Sequence, residues 1–197
     1  MTTAGFADLK AGLRREALKR RTALGAEARD AFTARLVAEG LALARRCGAR
    51  TASAFYPIRG EPDTRPLLAA LAEAGVATAL PVSVSRALPL TFRRWRVGEP
   101  TTPGELNIPE PLPEAEAVQP DLLFVPLACF DQRGHRIGFG AGHYDRTLAA
   151  LRAEKPICAV GVAYATSEIE AAPDEPHDER MDFILTDKEL IDCRGAI

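Results

Sequence analysis

The amino-acid sequence predicts a single α/β domain with a mostly parallel sheet flanked by helices. Short runs of residues that suit strands alternate with amphipathic segments of helical spacing. Two of the runs, over residues 122–130 and 157–164, are apolar throughout, which is typical of strands buried on both faces of a parallel sheet. No repeat, low-complexity tract or composition shift divides residues 1–197, so we expect one domain.

Two helices are expected at the start of the chain. Apolar side chains recur at helical spacing between residues 6 and 17, and basic residues cover much of the remaining surface of this segment. A break over residues 24–26 separates it from a second helical pattern, which ends near Gly48.

The next elements predict a parallel crossover. Residues 51–57 read as a strand, and Asp63 or Thr64 can cap a helix that ends at Gly75. A second strand pattern covers residues 76–82. Strand, helix and strand in this order form a right-handed connection between parallel strands.

The second half of the chain supplies the remaining elements. We expect strands over residues 88–95 and 183–186 and a helix over residues 147–153, in addition to the two apolar runs. The segment 99–119 is too rich in proline for a regular helix or a central strand and is expected to form a long ordered loop. Long loops inside a compact domain often have a function, so this one could line a site or close over it.

Composition excludes several functions. The formal net charge of -2 gives no overall attraction to nucleic acid, and no segment has the roughly 20 apolar residues of a membrane helix. The basic start lacks the apolar centre of a signal peptide, so we expect a cytoplasmic protein. The cysteines are far apart and form no C-x-x-C pair that would indicate zinc or a redox dithiol. They are Cys47, Cys129, Cys158 and Cys193.

The segment that carries the chemistry is FDQRGHRIGFGAGHYDR, over residues 130–146. Gly138, Gly140 and Gly142 alternate directly after a buried strand, which leaves the backbone free to turn its N–H groups toward a phosphate. Arg136 adds positive charge nearby. The alternative is a turn whose glycines only allow close packing of strand and helix. The spacing matches neither a Walker P-loop nor a dinucleotide fingerprint.

The sequence GHRIGFGAGHYDR resembles the signature of the 5-formyltetrahydrofolate cyclo-ligase family. Further segments resemble other parts of that family, in the same order along nearly all of the chain: LKAGLR, FYPIRGEPDT, LNIPEP, VGVAY and HDERMDFILT. The resemblance implies one cyclo-ligase domain over residues 1–197, with a fold like that of sugar-phosphate isomerases and CoA transferases.

The resemblance also implies an activity. It is the ATP-dependent cyclisation of 5-formyltetrahydrofolate to 5,10-methenyltetrahydrofolate, with release of ADP and phosphate. ATP would be the co-substrate and Mg²⁺ the cofactor of a monomeric enzyme. A formamide is a poor electrophile, so the reaction would pass through phosphorylation of the formyl oxygen. The protein would then act mainly by positioning and by stabilising charge on the phosphoryl group.

The same resemblance implies the site residues. Those implied to bind ATP are Lys10, Arg14, Arg136, Ile137, Gly138, Phe139, Gly140, Ala141, Gly142, His143 and Tyr144. Those implied to bind the folate are Tyr56, Glu61, Phe139 and Tyr144. Arg136 and Asp145 are implied to be catalytic, and Asp145 and Asp182 to be the oxygen ligands of magnesium.

Each assignment has a structural alternative. Lys10 and Arg14 lie four residues apart on one helix face, where solvated surface charge is the common finding. Asp145 could cap the following helix, and Asp182 could be a turn acid. Core packing is the alternative for the aromatic residues. His143 stands where many relatives have tyrosine, so it could bind phosphate or only fill the same space.

Two rival functions stay open from the sequence. A glycine-rich turn after a strand could hold a sugar phosphate in another enzyme of similar fold. A related domain that has lost ring closure could instead only bind nucleotide, folate or RNA.

Overall fold

The computed structural model describes residues 3–105 and 107–195. The helices are α1 (Thr3–Thr22), α2 (Ala26–Arg46), α3 (Arg65–Glu73) and α4 (His143–Glu154), with a short 3-10 helix at Ala165–Ser167. The strands are β1 (Thr51–Ala54), β2 (Ala77–Val82), β3 (Thr91–Arg94), β4 (Thr101–Pro103), β5 (Pro109–Pro111), β6 (Leu122–Pro126), β7 (Cys129–Phe130), β8 (Arg136–Ile137), β9 (Cys158–Val162), β10 (Phe183–Leu185) and β11 (Leu190–Asp192).

Seven strands form one mixed sheet in the order β11-β10-β9-β6-β1-β2-β3. The five central strands run parallel, and the edge strands β3 and β11 pair antiparallel. The two apolar runs lie side by side at the centre as β6 and β9, with Leu122 opposite Cys158 and Pro126 opposite Val162. The predicted α/β fold with a mostly parallel sheet is therefore confirmed.

The sheet separates two layers of core side chains, because successive residues of a strand point to opposite faces. On one face, Phe124 packs with residues of α2 and α3 such as Leu36 and Leu67. On the other face, Leu123 packs with residues of α4 such as Leu148. Helix α1 belongs to neither layer. It packs against the β7–β8 hairpin and the 3-10 helix, which follow the carboxyl ends of β6 and β9.

Some elements differ from the expectations. The segment 99–119 contains the antiparallel pair β4–β5, whose prolines are tolerated because these strands pair only with each other. Strand β11 and the β7–β8 hairpin were not predicted from the sequence, since both consist of two or three residues. Helix α4 begins at His143, four residues before the predicted start, directly after Gly142 in the left-handed conformation.

The predicted single domain covers residues 1–197, and five of these residues lie outside the described part of the chain: Met1, Thr2, Leu106, Ala196 and Ile197. In the part of the chain that is described, no helix is long and apolar enough to cross a membrane.

Candidate functional site

The candidate site lies at the carboxyl ends of the parallel strands, where open α/β sheets place their ligands. The chain leaves β1 at Ala54 and turns through Glu61 before α3 begins. It leaves β6 at Pro126 and forms the β7–β8 hairpin and then the glycine-rich segment. Because β1 and β6 are neighbours in the sheet, these two connections meet at the same edge. The fold thus brings together the two parts of the sequence that were expected to bind folate and ATP.

The glycine turn, defined here as residues 138–142, connects β8 to α4. Gly140 and Gly142 have positive φ angles of 97° and 65°, which other residues adopt only at a cost. Gly138 has open space where a side chain would start, with no heavy atom within 4 Å of a Cβ placed there. No described side chain caps the start of α4 at Gly142. The turn therefore presents exposed backbone next to a helix N-terminus, an arrangement that suits an anion.

Arg14 reaches the glycine turn from α1, and Lys10, one helical turn earlier, reaches the acidic segment that contains Glu175 and Asp178. The Arg14 Nε atom donates a hydrogen bond of 2.8 Å to the carbonyl oxygen of Gly138. The Lys10 Nζ atom lies 2.9 Å from a Glu175 carboxylate oxygen and 2.7 Å from one of Asp178. Burial lowers the pKa of Lys10, but the two carboxylates outweigh this effect and raise it overall. Neither side chain is a free surface charge.

Arg136 and Asp145 form an ion pair at the start of α4. Their nearest atoms, Nη2 and Oδ1, lie 2.8 Å apart, and the Arg136 side chain is only 4% exposed. Arg136 also donates to the carbonyl oxygen of Glu179, whose own N–H donates to the same Asp145 oxygen at 3.2 Å. Gly142 occupies the N-cap position, so Asp145 is not the cap and lies within the first turn. A negative charge there is stabilised by the helix dipole.

Asp182 belongs to a different ion pair. It precedes β10 and lies at the amino end of that strand, where its Oδ2 atom accepts hydrogen bonds from the Ala159 N–H at 2.7 Å and from Arg152 at 3.2 Å. Arg152 is seven residues beyond Asp145 on α4, which is about 10 Å along a helix axis. The structure therefore pairs the two expected metal ligands with different arginines.

Glu61 is buried at the opposite side of the site, with a side chain only 5% exposed. Its Oε2 atom accepts a hydrogen bond of 3.0 Å from the Ile58 N–H. Burial raises the pKa of the Glu61 carboxyl to about 7, although the Ile58 N–H and the charges of Arg21 and Arg59 lower it. Such a displaced pKa is typical of carboxyl groups in functional sites.

Arg21 is a site residue that the sequence reasoning missed. Its Nη1 atom lies 3.9 Å from Glu61 Oε1, and its guanidinium carbon lies 5.8 Å from the centre of the Phe139 ring. Arg21 thus joins the Glu61 side of the site to the glycine turn. It follows Lys10 by eleven residues, about three helical turns, so the spacing itself places both on one face of α1.

The aromatic residues take different positions. Phe139 projects from the glycine turn and is 46% exposed. Tyr144 is partly buried, and burial raises the pKa of its hydroxyl, with a further rise from the charge of Glu61. Tyr56 packs edge to face against Trp95, with ring centres 6.3 Å apart. Phe139 and Tyr144 accompany the glycine turn, whereas Tyr56 is held in an aromatic pair.

Two of the residues expected to bind ATP have buried side chains. Ile137 lies in a small apolar cluster with Ala17 of α1, so only its backbone is left to face a ligand at the turn. The imidazole of His143 places its Nδ1 atom 3.4 Å from the carbonyl oxygen of Leu88. Its Nε2 atom is buried and has no hydrogen-bond partner among the described residues.

The fold is an α/β sheet with a glycine turn, a helix N-terminus and cationic side chains at the carboxyl edge of its parallel strands, the place where α/β enzymes of this class bind their ligands. The chain belongs to the 5-formyltetrahydrofolate cyclo-ligase family, whose model matches residues 7–187.

Individual relatives agree with this assignment. The chain is 35% identical over 147 residues to the 5-formyltetrahydrofolate cyclo-ligase of Mycolicibacterium smegmatis, which covers 71% of this chain and 74% of the relative. It is 34% identical over 143 residues to the cyclo-ligase of Escherichia coli, covering 70% and 78% of the two chains. The NMR structure of Aquifex aeolicus 5,10-methenyltetrahydrofolate synthetase superposes with a TM-score of 0.80 at 28% identity, over 96% of this chain and 95% of that one.

Proposed function

We propose that this chain uses ATP to cyclise 5-formyltetrahydrofolate to 5,10-methenyltetrahydrofolate, releasing ADP and phosphate. One observation carries the proposal beyond family membership. The glycine turn and the buried Glu61 carboxyl group lie at the same edge of the sheet. Arg14 contacts the turn, and Arg21 lies between the turn and Glu61. A cyclo-ligase needs such an arrangement, because a triphosphate and a pteridine must lie next to each other.

The nucleotide side is built from α1 and the glycine turn. Backbone N–H groups of residues 138–142 and the Arg14 guanidinium would hold the phosphates. Lys10 would add a further charge, with phosphate oxygens competing for its ammonium group against Glu175 and Asp178. Arg136 is held by Asp145 and by the carbonyl oxygen of Glu179, so its main effect is to fix the start of α4.

The folate side is built around Glu61. Its Oε1 atom would accept hydrogen bonds from the amide and amine edge of the pterin, since Oε2 is already bonded to Ile58. Phe139 is exposed beside Arg21 and would cover one face of the ring. The hydroxyl of Tyr144, whose pKa is raised partly by the charge of Glu61, is neutral and can donate a hydrogen bond on this side of the site.

The chemistry then requires positioning more than reactive side chains. The formyl oxygen takes the γ-phosphoryl group from ATP and ADP is released, N10 attacks the activated carbon and loses its proton, and phosphate then leaves as the methenyl double bond forms. Lys10 and Arg14 stabilise charge on the transferring group, and the glycine turn orients it. We assign no general base, because the N10 proton becomes strongly acidic once N10 has bonded to the activated carbon and can pass to water or to the phosphate oxygens.

Magnesium fits this site as a partner of the nucleotide. Among residues 3–105 and 107–195, no group of three or more His, Cys, Asp or Glu side chains is placed to hold a metal ion. Mg²⁺ in nucleotide sites commonly uses one or two carboxylates together with substrate phosphates. We propose Asp145, beside the glycine turn, as one carboxylate ligand. Asp182 lies at the amino end of β10 in an ion pair with Arg152, so it would have to leave that pair and approach the turn to be the second ligand. When bound, the ion neutralises negative charge on the phosphate oxygens.

We further propose that the enzyme acts as a monomer in the cytoplasm. The cysteines are all free, as is usual in a reducing compartment.

The test is to combine purified protein, MgATP and 5-formyltetrahydrofolate and to follow the absorbance of the methenyl product. We expect product and free phosphate in equal amounts, and neither when ATP, magnesium or the folate is omitted. Ligand-induced protection against thermal unfolding without product would indicate a binding protein instead. Failure to bind or convert the folate would refute the proposal.

A further inference from the structure

Arg21 combines strong burial with incomplete hydrogen bonding. The residue is only 4% exposed, and its Nη2 atom donates to the carbonyl oxygen of Arg59 at 2.9 Å. Its Nε atom is buried and has no hydrogen-bond partner among the described residues. Burial lowers the pKa of Arg21, but a guanidinium group stays charged at any physiological pH. The protein therefore buries a permanent cation with an N–H donor left over.

The ion pair with Glu61 is also incomplete. The 3.9 Å between Nη1 and Oε1 exceeds the length of a charge-assisted hydrogen bond, which is about 2.7–2.9 Å. Burying two charges is costly unless their remaining donors and acceptors are satisfied. Stability alone therefore does not explain this pair. A ligand that offers an acceptor to Arg21 and a donor to Glu61 would complete it.

The chemistry of the two free groups defines such a ligand. Arg21 offers only N–H donors, and the ionised Glu61 offers only acceptor oxygens. A cyclic amide presents the matching pattern, with a carbonyl oxygen next to a ring N–H. The Phe139 ring beside Arg21 adds an apolar face suited to a flat heterocycle.

We propose that Arg21 and Glu61 together recognise the lactam edge of the pterin, with Arg21 donating to the ring carbonyl oxygen and Glu61 accepting from the adjacent N–H. This inference rests on the proposed function, because it takes reduced folate as the ligand. It assigns Arg21 a binding role and a second, positioning role, in which its charge holds Glu61 in the ionised state.

The charged and titratable groups that face Glu61 come from each element packed around it. Arg21 on α1 and Arg59 in the turn after β1 both lower the pKa of Glu61. Tyr144 on α4 is coupled to Glu61 and is neutral in this pH range. Only the ionised carboxylate accepts the ring N–H. Folate affinity should therefore fall as the pH drops through the pKa of Glu61, and loss of the Arg21 charge should move this fall to higher pH.

The experiment measures the Kd of 5-formyltetrahydrofolate without nucleotide between pH 6 and 8.5, for wild type and Arg21→Gln. At pH 7.5 we expect the Kd of Arg21→Gln to be at least tenfold higher than that of wild type. The pH at which folate affinity has fallen by half should lie about one unit higher in Arg21→Gln, because one pH unit corresponds to a factor of ten in protonation equilibrium. The KM for ATP should not change. Arg15→Gln removes the same charge from the exposed side of α1 and should behave as wild type.

A second ligand tests the lactam contacts in the unmutated protein. In the 4-amino counterpart of 5-formyltetrahydrofolate, an amine donor replaces the ring carbonyl that Arg21 would bind, and the adjacent ring nitrogen carries no hydrogen for Glu61 to accept. We expect wild type to bind this analogue at least tenfold more weakly, and Arg21→Gln, which keeps Glu61, to lose only the part of that preference that the carbonyl contact supplies. Equal affinity of wild type for both ligands, or an unchanged Kd and midpoint in Arg21→Gln, overturns the inference. If wild type makes methenyl product in either case, the proposed function stands.

Discussion

Replacing Asp145 by alanine should weaken the fold as well as the reaction. If Asp145 served only a metal ion, its removal would leave the apo protein as stable as before. The structure instead shows that Asp145 is the carboxylate partner of Arg136, whose side chain is 4% exposed. The substitution leaves this guanidinium buried beside a single remaining acceptor, the carbonyl oxygen of Glu179.

The size of the effect follows from these contacts. Removing one partner of a buried ion pair costs about 3–5 kcal/mol. Asp145 is 19% exposed, so water can reach part of the vacated space, and Arg136 keeps one hydrogen bond. We therefore expect a loss of about 2–3 kcal/mol from the free energy of unfolding. For a chain of this length, that corresponds to a decrease of roughly 4–12 °C in Tm.

The assay is urea denaturation of the protein without ligands, followed by circular dichroism. Asp174→Ala is the matched control, because Asp174 is exposed and lies 3.8 Å from the exposed Arg133. It should change stability by less than about 0.5 kcal/mol. The double variant Arg136→Met/Asp145→Ala should recover part of the loss, since it removes the unpaired cation as well. An Asp145→Ala protein as stable as wild type would show that the pair does not contribute to the fold.

Two further predictions concern the glycines and the pH dependence of stability. Gly138→Ala should leave stability unchanged but raise the KM for ATP about tenfold if phosphates contact this backbone. Gly134 has a φ of 86°, and a Cβ added there would lie 2.6 Å from the Met181 carbonyl oxygen. Gly134→Ala should therefore lower the free energy of unfolding by about 2–4 kcal/mol in urea titrations. An unchanged KM in Gly138→Ala would contradict the phosphate contact. The pKa of Glu61 is raised to about 7 in the folded protein, so the folded state binds a proton more tightly than the unfolded state between pH 4.5 and 7. The free energy of unfolding therefore falls as the pH rises through this window. The stability of Glu61→Gln relative to wild type should therefore increase by about 3 kcal/mol from pH 4.5 to pH 8, and a constant difference would refute the raised pKa.

The fold could be predicted because its signals are local and repeated. The apolar runs over 122–130 and 157–164 contain the adjacent strands β6 and β9, although the first run breaks after Pro126 and its last two residues form β7. The break at 24–26 separates α1 from α2. The elements that were not predicted are short and depend on contacts distant in sequence. Strand β11 exists because Leu190–Asp192 pairs with β10, and three residues carry no detectable periodicity of their own.

The site could be predicted only in part, for a related reason. The glycine turn and Glu61 are recognisable because their motifs are contiguous in sequence. The partners of these residues are not contiguous. Lys10 meets Glu175 across 165 positions, and the position of Asp182 beside Arg152 follows from the parallel register of β9 and β10. The spacing of Arg21 after Lys10 was visible in the sequence, but its burial was not.

The buried charges of this site are easier to explain by function than by stability. Arg21, Glu61 and Arg136 are each about 95% buried at the carboxyl edge of the sheet, where the chain also places the glycine turn. Desolvated charges interact strongly with a ligand that replaces water, and they do so without reorganisation at the moment of reaction. Asp145 compensates Arg136 in the absence of ligand at 2.8 Å, whereas Glu61 and Arg21 remain 3.9 Å apart. The first pair is therefore complete in the free protein, and the second is the one that gains most when a ligand binds.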